Sequence, residues 1–234
     1  MWYNWNMQRK FQFSIGEFYH LYNRGVDKRI IFDQPNDYNR FLVLLYVCNG
    51  ANPVNISKHF GEGRSFTEVF DIERGEQIVE IGAYCLMPNH FHLLLREKQE
   101  NGISLFMKKL LTGYSMYYNK KHKRSGALFE NNFRATHANS DNYLKYLFFY
   151  IHLNPVKLIN PGWKENGVTD ILRAKQYLKE YKYSSYNDYI LNDNNMNILS
   201  KDVFPDYFGE FKDFENFIDE WLLVKDRPSL MANI

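Results

Sequence analysis

The hydrophobic and polar positions of the chain follow two spacings, and each spacing predicts one kind of element. Alternating or continuous apolar runs predict four strands, over Glu17–Asn23, about Ile78–Met87, about His90–Arg96 and near Leu128–Ala135. Helical spacing predicts three helices, over Asp37–Leu45, about Ser104–Asn119 and about Asp141–Leu153. The order strand, helix, strand, strand, helix, strand, helix predicts an α+β fold. We expect a ferredoxin-like split βαβ unit with an antiparallel sheet and helices on one face.

The same patterns predict where the main domain ends. We assign residues 1–160 to the ferredoxin-like domain, with an insertion at about 46–78 whose first part is rich in Gly and Asn. Residues 161–234 are predicted to be a helical or irregular extension packed on that domain. Helical spacing in this extension is kept by four apolar residues: Phe211, Phe214, Ile218 and Trp221.

Composition indicates a folded protein with a large aromatic content. Hydrophobic residues make up 45% of the chain and aromatic residues 18%, which suits a packed core and also a surface on which bases stack. No run is apolar for long enough to cross a bilayer, so we expect a cytoplasmic protein without a membrane partner. The two cysteines, Cys48 and Cys85, lie in apolar runs and are expected to be buried thiols.

Positive charge is concentrated in the middle of the chain. The formal net charge is only +2, but residues 101–157 carry nine basic residues against two acids. This stretch is compatible with a polyanion-binding face or with a solvated lysine-rich turn. Its candidates for phosphate contacts are Lys120, Lys121, Lys123, Arg124 and Arg134, and Arg24 at the end of the first strand is a sixth.

A pair of histidines, His90 and His92, is predicted to lie on one face of a strand. Residues two apart in a strand point the same way, so both imidazoles project together while Phe91 points into the opposite layer. Two imidazoles can hold a divalent cation if a third ligand comes from elsewhere. With seven histidines in the chain, a chance pair is the alternative interpretation.

A second candidate group lies on the last predicted helix. Tyr150 and Asn154 are one helical turn apart, so a phenol and an amide could reach one pocket as nucleophile and metal ligand. The aromatic run to which Tyr150 belongs is equally compatible with a core stripe, and a polar Asn154 is ordinary before a proline. Tyr114, Tyr117 and Tyr118 compete for the role of nucleophile on these grounds.

Five segments that follow one another in order resemble a known family. They are Phe18–Gly25, Leu86–His92, Leu128–Arg134, Tyr150–Lys157 and Tyr183–Tyr186. Over roughly residues 15–190 the chain resembles the single-tyrosine transposases of the insertion-sequence-200-like family. The similarity is greatest to the branch associated with repetitive extragenic palindromes.

This resemblance implies a fold, a site and a substrate. It implies a ferredoxin-like core, a His-hydrophobic-His metal site at His90 and His92 completed by Asn154, and Tyr150 as the catalytic tyrosine. It also implies Mg²⁺ or Mn²⁺ as cofactor and single-stranded DNA beside hairpin, palindromic elements as partner. We therefore expect a strand transferase and endonuclease that works through a 5′-phosphotyrosine intermediate. Either a monomer or a homodimer is compatible with the sequence.

A non-catalytic protein that binds single-stranded DNA or RNA is the main alternative function. In such a protein the aromatic residues would stack on bases and the histidines would be structural. A small metal-dependent hydrolase is less well supported, because no further His or carboxylate ligands are evident by spacing. No glycine-rich phosphate loop followed by Lys and Ser or Thr occurs, which disfavours an ATP-driven recombinase.

Overall fold

Four strands form one antiparallel sheet in a computed structural model that describes residues 12–191, 196–205, 218 and 222. The strands are β1 (Phe18–Arg24), β2 (Val79–Met87), β3 (His90–Glu97) and β4 (Arg134–His137). Their spatial order is β2-β3-β1-β4, with each neighbouring pair antiparallel. This is the order of a split βαβ unit, so the predicted α+β, ferredoxin-like fold is confirmed.

Seven α-helices occur in the described part of the chain. They are α1 (Pro35–Cys48), α2 (Ile56–Gly61), α3 (Gly102–Lys121), α4 (Asp141–Leu153), α5 (Trp163–Asn166), α6 (Ile171–Glu180) and α7 (Tyr186–Ile190). Ser140 caps α4 by accepting a hydrogen bond from the Tyr143 amide. The helix α4 ends at Leu153, as predicted, but Asn154 before the proline keeps α-helical torsion angles (φ −53°, ψ −37°), and the chain continues as a 3-10 helix over Asn154–Leu158.

Helices cover both faces of the sheet, which differs from the expectation of helices on one face. Residues of α1 and α3 pack with Tyr19, Leu21 and Leu93 on the first face. On the second face, α4 packs against the other side of β2 and β3. Every residue of β2 is buried. A strand with apolar side chains on both faces must be covered on both faces, so the sheet needs helices on each side.

The fourth strand begins later than its apolar pattern predicts. The pattern predicts a strand near Leu128–Ala135, whereas β4 spans Arg134–His137. Leu128 and Phe129 are buried, but only Phe129 makes an isolated bridge, to Gly25. Glu130 still donates its backbone amide to the Arg24 oxygen of β1, and the following residues, Asn131 and Asn132, line a cavity beside that strand.

The chain after the 3-10 helix packs against α4. Trp163, Val168, Ala174 and Leu178 form a buried cluster with Phe149 and Leu153 of that helix. Ile218 belongs to the same cluster, whereas Phe211, Phe214 and Trp221 lie outside the described residues. Among the helices of the described segments, none is both long and apolar enough to cross a membrane.

Candidate active site

The two predicted histidines lie where β3 begins, directly opposite the end of β1. In the sheet register His90 pairs with Arg24 and His92 pairs with Tyr22. Both imidazoles project from the face that α4 covers, and their ring centroids are 5.1 Å apart. The Nδ1 atom of His90 donates a hydrogen bond to Asn89 Oδ1 at 2.6 Å, which leaves Nε2 of His90 as the atom with a lone pair.

A third histidine, His20 on β1, contacts His92. Its Nε2 lies 2.9 Å from His92 Nδ1, and both side chains are buried. The other ring nitrogen of His20, Nδ1, is buried without a hydrogen-bond partner in the structure. Because the Nδ1 atom of His92 is used in this contact, its Nε2 is the nitrogen left to face outwards.

Tyr150 lies above these histidines on α4. Its ring packs edge-on at 5.4 Å from the ring of His92 and 5.9 Å from that of His20. Its hydroxyl accepts a hydrogen bond of 3.0 Å from Lys164 Nζ, at the start of α5. Tyr150 is only 5% exposed, yet it opens onto the same cavity as His90 and His92.

Asn154 follows one turn after Tyr150, as the spacing predicts. Its Nδ2 donates to the Tyr150 backbone oxygen at 2.9 Å, so its side chain is fixed against the end of α4. The residue is buried and lines the cavity, which leaves Oδ1 as the atom that could serve as a ligand.

These side chains share a cavity of about 310 Å³ that is rich in positive charge. Among the described residues, those that line it include four cations, Arg24, Arg134, Lys157 and Lys164, and one acid, Glu130. A pocket lined by one sign of charge attracts ligands of the opposite sign, so the cavity suits a phosphate group.

Burial keeps the three histidines neutral. It lowers the pKa of His90 to about 3, helped by the charges of Arg24, Lys157 and Lys164. It also lowers the pKa of His92 well below its usual range and that of His20 to about 3. Burial raises the pKa of the Tyr150 phenol, against the lowering effect of the Asn154 side chain. Neutral imidazoles retain the lone pairs that metal ligands need.

The three competing tyrosines lie elsewhere. The Tyr114 and Tyr118 hydroxyls donate to the backbone oxygens of Ile31 and Ile30, and Tyr117 donates to Asp37 at 2.9 Å. All three belong to α3, which packs on the first face of the sheet, and none lines the cavity.

The structure brings two of the six predicted DNA contacts into the cavity, Arg24 and Arg134. The other four, Lys120, Lys121, Lys123 and Arg124, lie at the end of α3 and in the loop after it. Lys121 forms an ion pair of 2.6 Å with the buried Asp37. Arg124 donates to Asn119 Oδ1 and to the Ala127 backbone oxygen. Two of these four cations therefore already have protein partners.

Sequence reasoning missed three residues of this site: His20, Lys157 and Lys164. Alternation along β1 could have identified His20, since it lies on the same strand face as Tyr22 and Arg24. Lys157 is the last residue of one of the five recognised segments. No pattern marks Lys164, which reaches the cavity only through tertiary packing. Among the described residues, no group of three or more His, Cys, Asp or Glu side chains is arranged to hold a metal.

Comparison with known proteins supports the resemblance seen in the sequence. Residues 63–154 match the model of the family described as "Transposase IS200 like". The match includes His90, His92, Tyr150 and Asn154 and excludes β1 and Lys164. The predicted resemblance to the insertion-sequence-200-like transposases is thereby confirmed over this segment, and it supports a DNA transposase-like role.

The chain was also compared with solved structures and with curated proteins. The chain is similar to the structure of a REP-associated tyrosine transposase bound to a REP hairpin, at 13% identity and a TM-score of 0.48. The similarity covers 87% of this chain and 92% of that one. No curated protein matches the sequence.

Proposed function

We propose that this protein cuts and rejoins single-stranded DNA beside hairpin elements, with Tyr150 as the nucleophile and a 5′-phosphotyrosine intermediate. The observation that carries the proposal is the convergence of the Tyr150 hydroxyl, the imidazoles of His90 and His92 and the Asn154 amide on one positively charged cavity. This is the combination that phosphodiester transfer needs: a nucleophile, a means of neutralising phosphate charge and room for the strand.

The donor set fits a divalent cation, Mg²⁺ or Mn²⁺. Nε2 of His90, Nε2 of His92 and Oδ1 of Asn154 are the three atoms that would hold it, and both imidazoles are neutral. Nitrogen ligands favour Mn²⁺ over Mg²⁺. When bound, the ion would polarise the scissile phosphate and withdraw charge from it.

The residues of the chain supply the remaining steps. Arg24, Arg134 and Lys157 bind the backbone of the strand around the scissile phosphate. Tyr150 Oη forms a bond to phosphorus as the bond from phosphorus to the DNA 3′ oxygen breaks. The phenol proton is released to water and the 3′ oxygen takes up a proton, so the products are a 5′-phosphotyrosine and a 3′-hydroxyl. Attack by a 3′-hydroxyl on the phosphotyrosine reverses these changes and rejoins the DNA.

The division of the chain into a catalytic domain, 1–160, and an extension, 161–234, is part of this proposal. The packing of the extension on the catalytic domain is supported by the cluster that Trp163, Ala174 and Leu178 form with Phe149 and Leu153 of α4. This packing gives the extension a role in holding the helix that carries Tyr150.

A covalent-adduct assay tests the proposed function. Single-stranded hairpin oligonucleotides from the flanks of the gene, labelled at the 3′ end, are incubated with protein and Mg²⁺ or Mn²⁺. We expect a labelled protein–DNA adduct, and we expect Tyr150→Phe to bind the hairpins without forming one. Tight hairpin binding by the wild type with no cleavage under any of these conditions would instead favour the non-catalytic binding protein.

A further inference from the structure

We propose that Lys164 is a catalytic residue whose ammonium group stabilises negative charge on Tyr150 Oη during strand cleavage and rejoining. This inference rests on the proposed function and assigns a role to a residue outside the segment that the family model matches. It is carried by a direct contact with the reacting oxygen.

The position of Lys164 is defined by two contacts with the same ring. Its Nζ donates to Tyr150 Oη at 3.0 Å and lies 4.1 Å from the centroid of the phenol ring. An ammonium group near a phenol interacts favourably with the ring and much more strongly with a phenolate oxygen. The other cavity cations, Arg24, Arg134 and Lys157, line the walls around the same space.

Packing holds Lys164 and Tyr150 relative to each other. The neighbour of the lysine, Trp163, is fully buried in a cluster with Phe149 and Leu153 of α4. The helix that carries the nucleophile and the short helix that carries the lysine thus share one core. A charge held in place before the reaction stabilises the transition state without the cost of reorganisation.

The contact explains how a buried phenol could act at this position. Burial disfavours the phenolate, and Tyr150 is 5% exposed. In cleavage the phenol proton goes to water while the Oη–phosphorus bond forms and the bond to the 3′ oxygen breaks. In rejoining, the Oη–phosphorus bond breaks and its electron pair stays on Oη. In the transition states of both cleavage and rejoining, Tyr150 Oη carries more negative charge than in the starting state. One ammonium group can therefore stabilise both transition states.

The contact also makes a prediction about binding and rate. A lysine that only held the DNA backbone would change affinity, whereas a lysine that stabilises Oη changes the rate constants of both cleavage and rejoining. We expect Lys164→Met to lower both rate constants on the order of 100-fold, with hairpin affinity and thermal stability close to wild type. Lys182→Met removes the same charge from an exposed position that does not line the cavity and should react at the wild-type rate.

Chemical rescue separates the charge from the packing of the side chain. Lys164→Cys is treated with 2-bromoethylamine, which restores an ammonium group at nearly the original reach, or with iodoacetamide, which adds a neutral group. Both modified forms come from one folded preparation, and the two native thiols, Cys48 and Cys85, are buried. Wild-type protein treated in the same way controls for reaction at those thiols.

We expect the aminoethylated form to recover at least tenfold in the rate of adduct formation and the neutral form to recover none. If wild type forms the adduct and the Lys164→Met rate is unchanged, or if both alkylated forms recover equally, the role of Lys164 is wrong while the proposed function stands. If wild type forms no adduct, the proposed function fails and this inference fails with it.

Discussion

His20 Nε2 lies 2.9 Å from His92 Nδ1, so a histidine on β1 is the direct neighbour of a candidate metal ligand on β3. For Nε2 of His92 to offer a lone pair, its Nδ1 must carry the proton and donate it to His20. This requires His20 to be protonated on its own Nδ1, which is buried and has no hydrogen-bond partner among the described residues. The contact therefore orients His92, and the tautomer that frees its Nε2 leaves one N–H of His20 unsatisfied.

Removal of this neighbour should weaken metal binding. We expect His20→Ala to lower the affinity of the protein for Mn²⁺ by roughly 10- to 100-fold, because His92 loses the contact that orients it. Isothermal titration with Mn²⁺ in the absence of DNA measures this directly. The control is His122→Ala, which removes an exposed histidine that stacks on Tyr118 and does not line the cavity. Equal Mn²⁺ affinity in His20→Ala and wild type would show that His92 does not need its partner.

Loss of a proposed ligand should affect chemistry more than folding. We expect His90→Ala to reduce adduct formation on the order of 100-fold or more, while its unfolding temperature stays near that of wild type because His90 lies at the edge of the cavity. Removal of divalent ions with EDTA should abolish adduct formation by the wild type, and added Mg²⁺ or Mn²⁺ should restore it. Full turnover in EDTA would exclude the metal from the account.

The buried carboxylate of Asp37 forms an ion pair with the partly exposed Lys121. We expect this pair to stabilise the fold. Burial raises the pKa of Asp37, but the hydrogen bond from Lys121 and those from the Gln34 and Asp33 amides and from Tyr117 leave it below its ordinary value of 3.8. A depressed pKa means that the stabilisation is present above that value and is lost as the pH falls through the folded pKa.

We expect Asp37→Asn to cost about 2 kcal/mol of unfolding free energy at pH 7, because charged hydrogen bonds of a buried carboxylate are lost. The difference from wild type should shrink when urea unfolding is repeated in acid, where wild type also loses the charge. Asp33→Asn, at an exposed neighbouring position, is the matched control. A difference that is the same at both pH values would mean that the charge of Asp37 contributes nothing.

Because of the same ion pair, the lysines at the end of α3 and in the loop after it should differ in their response to salt. Lys120 and Lys123 are exposed, so each can release a counterion from DNA. We expect Lys120→Met or Lys123→Met to reduce the slope of log affinity against log salt by about one. Lys121→Met should change the slope less, because Asp37 already compensates that charge. Unchanged slopes in all three variants would exclude these lysines from the DNA contacts.

The order of elements could be predicted from the sequence because the apolar patterns are local. The start of α4 follows from its capping residue Ser140, and the shared face of His90 and His92 follows from strand geometry alone. The spacing of Tyr150 and Asn154 likewise needs only helical geometry. These features were predictable residue by residue.

Features that depend on tertiary packing could not be predicted. The apolar pattern does not say which face α4 covers, nor that pairing with β1 is interrupted between the Phe129 bridge and β4. Lys164 reaches Tyr150 because Trp163 is buried beside α4, a contact between segments that no local spacing records. Strand alternation predicts that His20 shares a strand face with Tyr22 and Arg24. It does not predict the contact with His92, which lies on another strand.

Identification of the residue that becomes attached to DNA tests the central claim most directly. The adduct formed by wild-type protein on a single-stranded hairpin is digested with protease and nuclease, and the peptide that carries the nucleotide is sequenced by mass spectrometry. The account predicts a single modified residue, Tyr150, joined to the 5′ phosphate of the cleaved strand. Attachment at Tyr114, Tyr117 or Tyr118, or an adduct of undiminished yield in Tyr150→Phe, would contradict it.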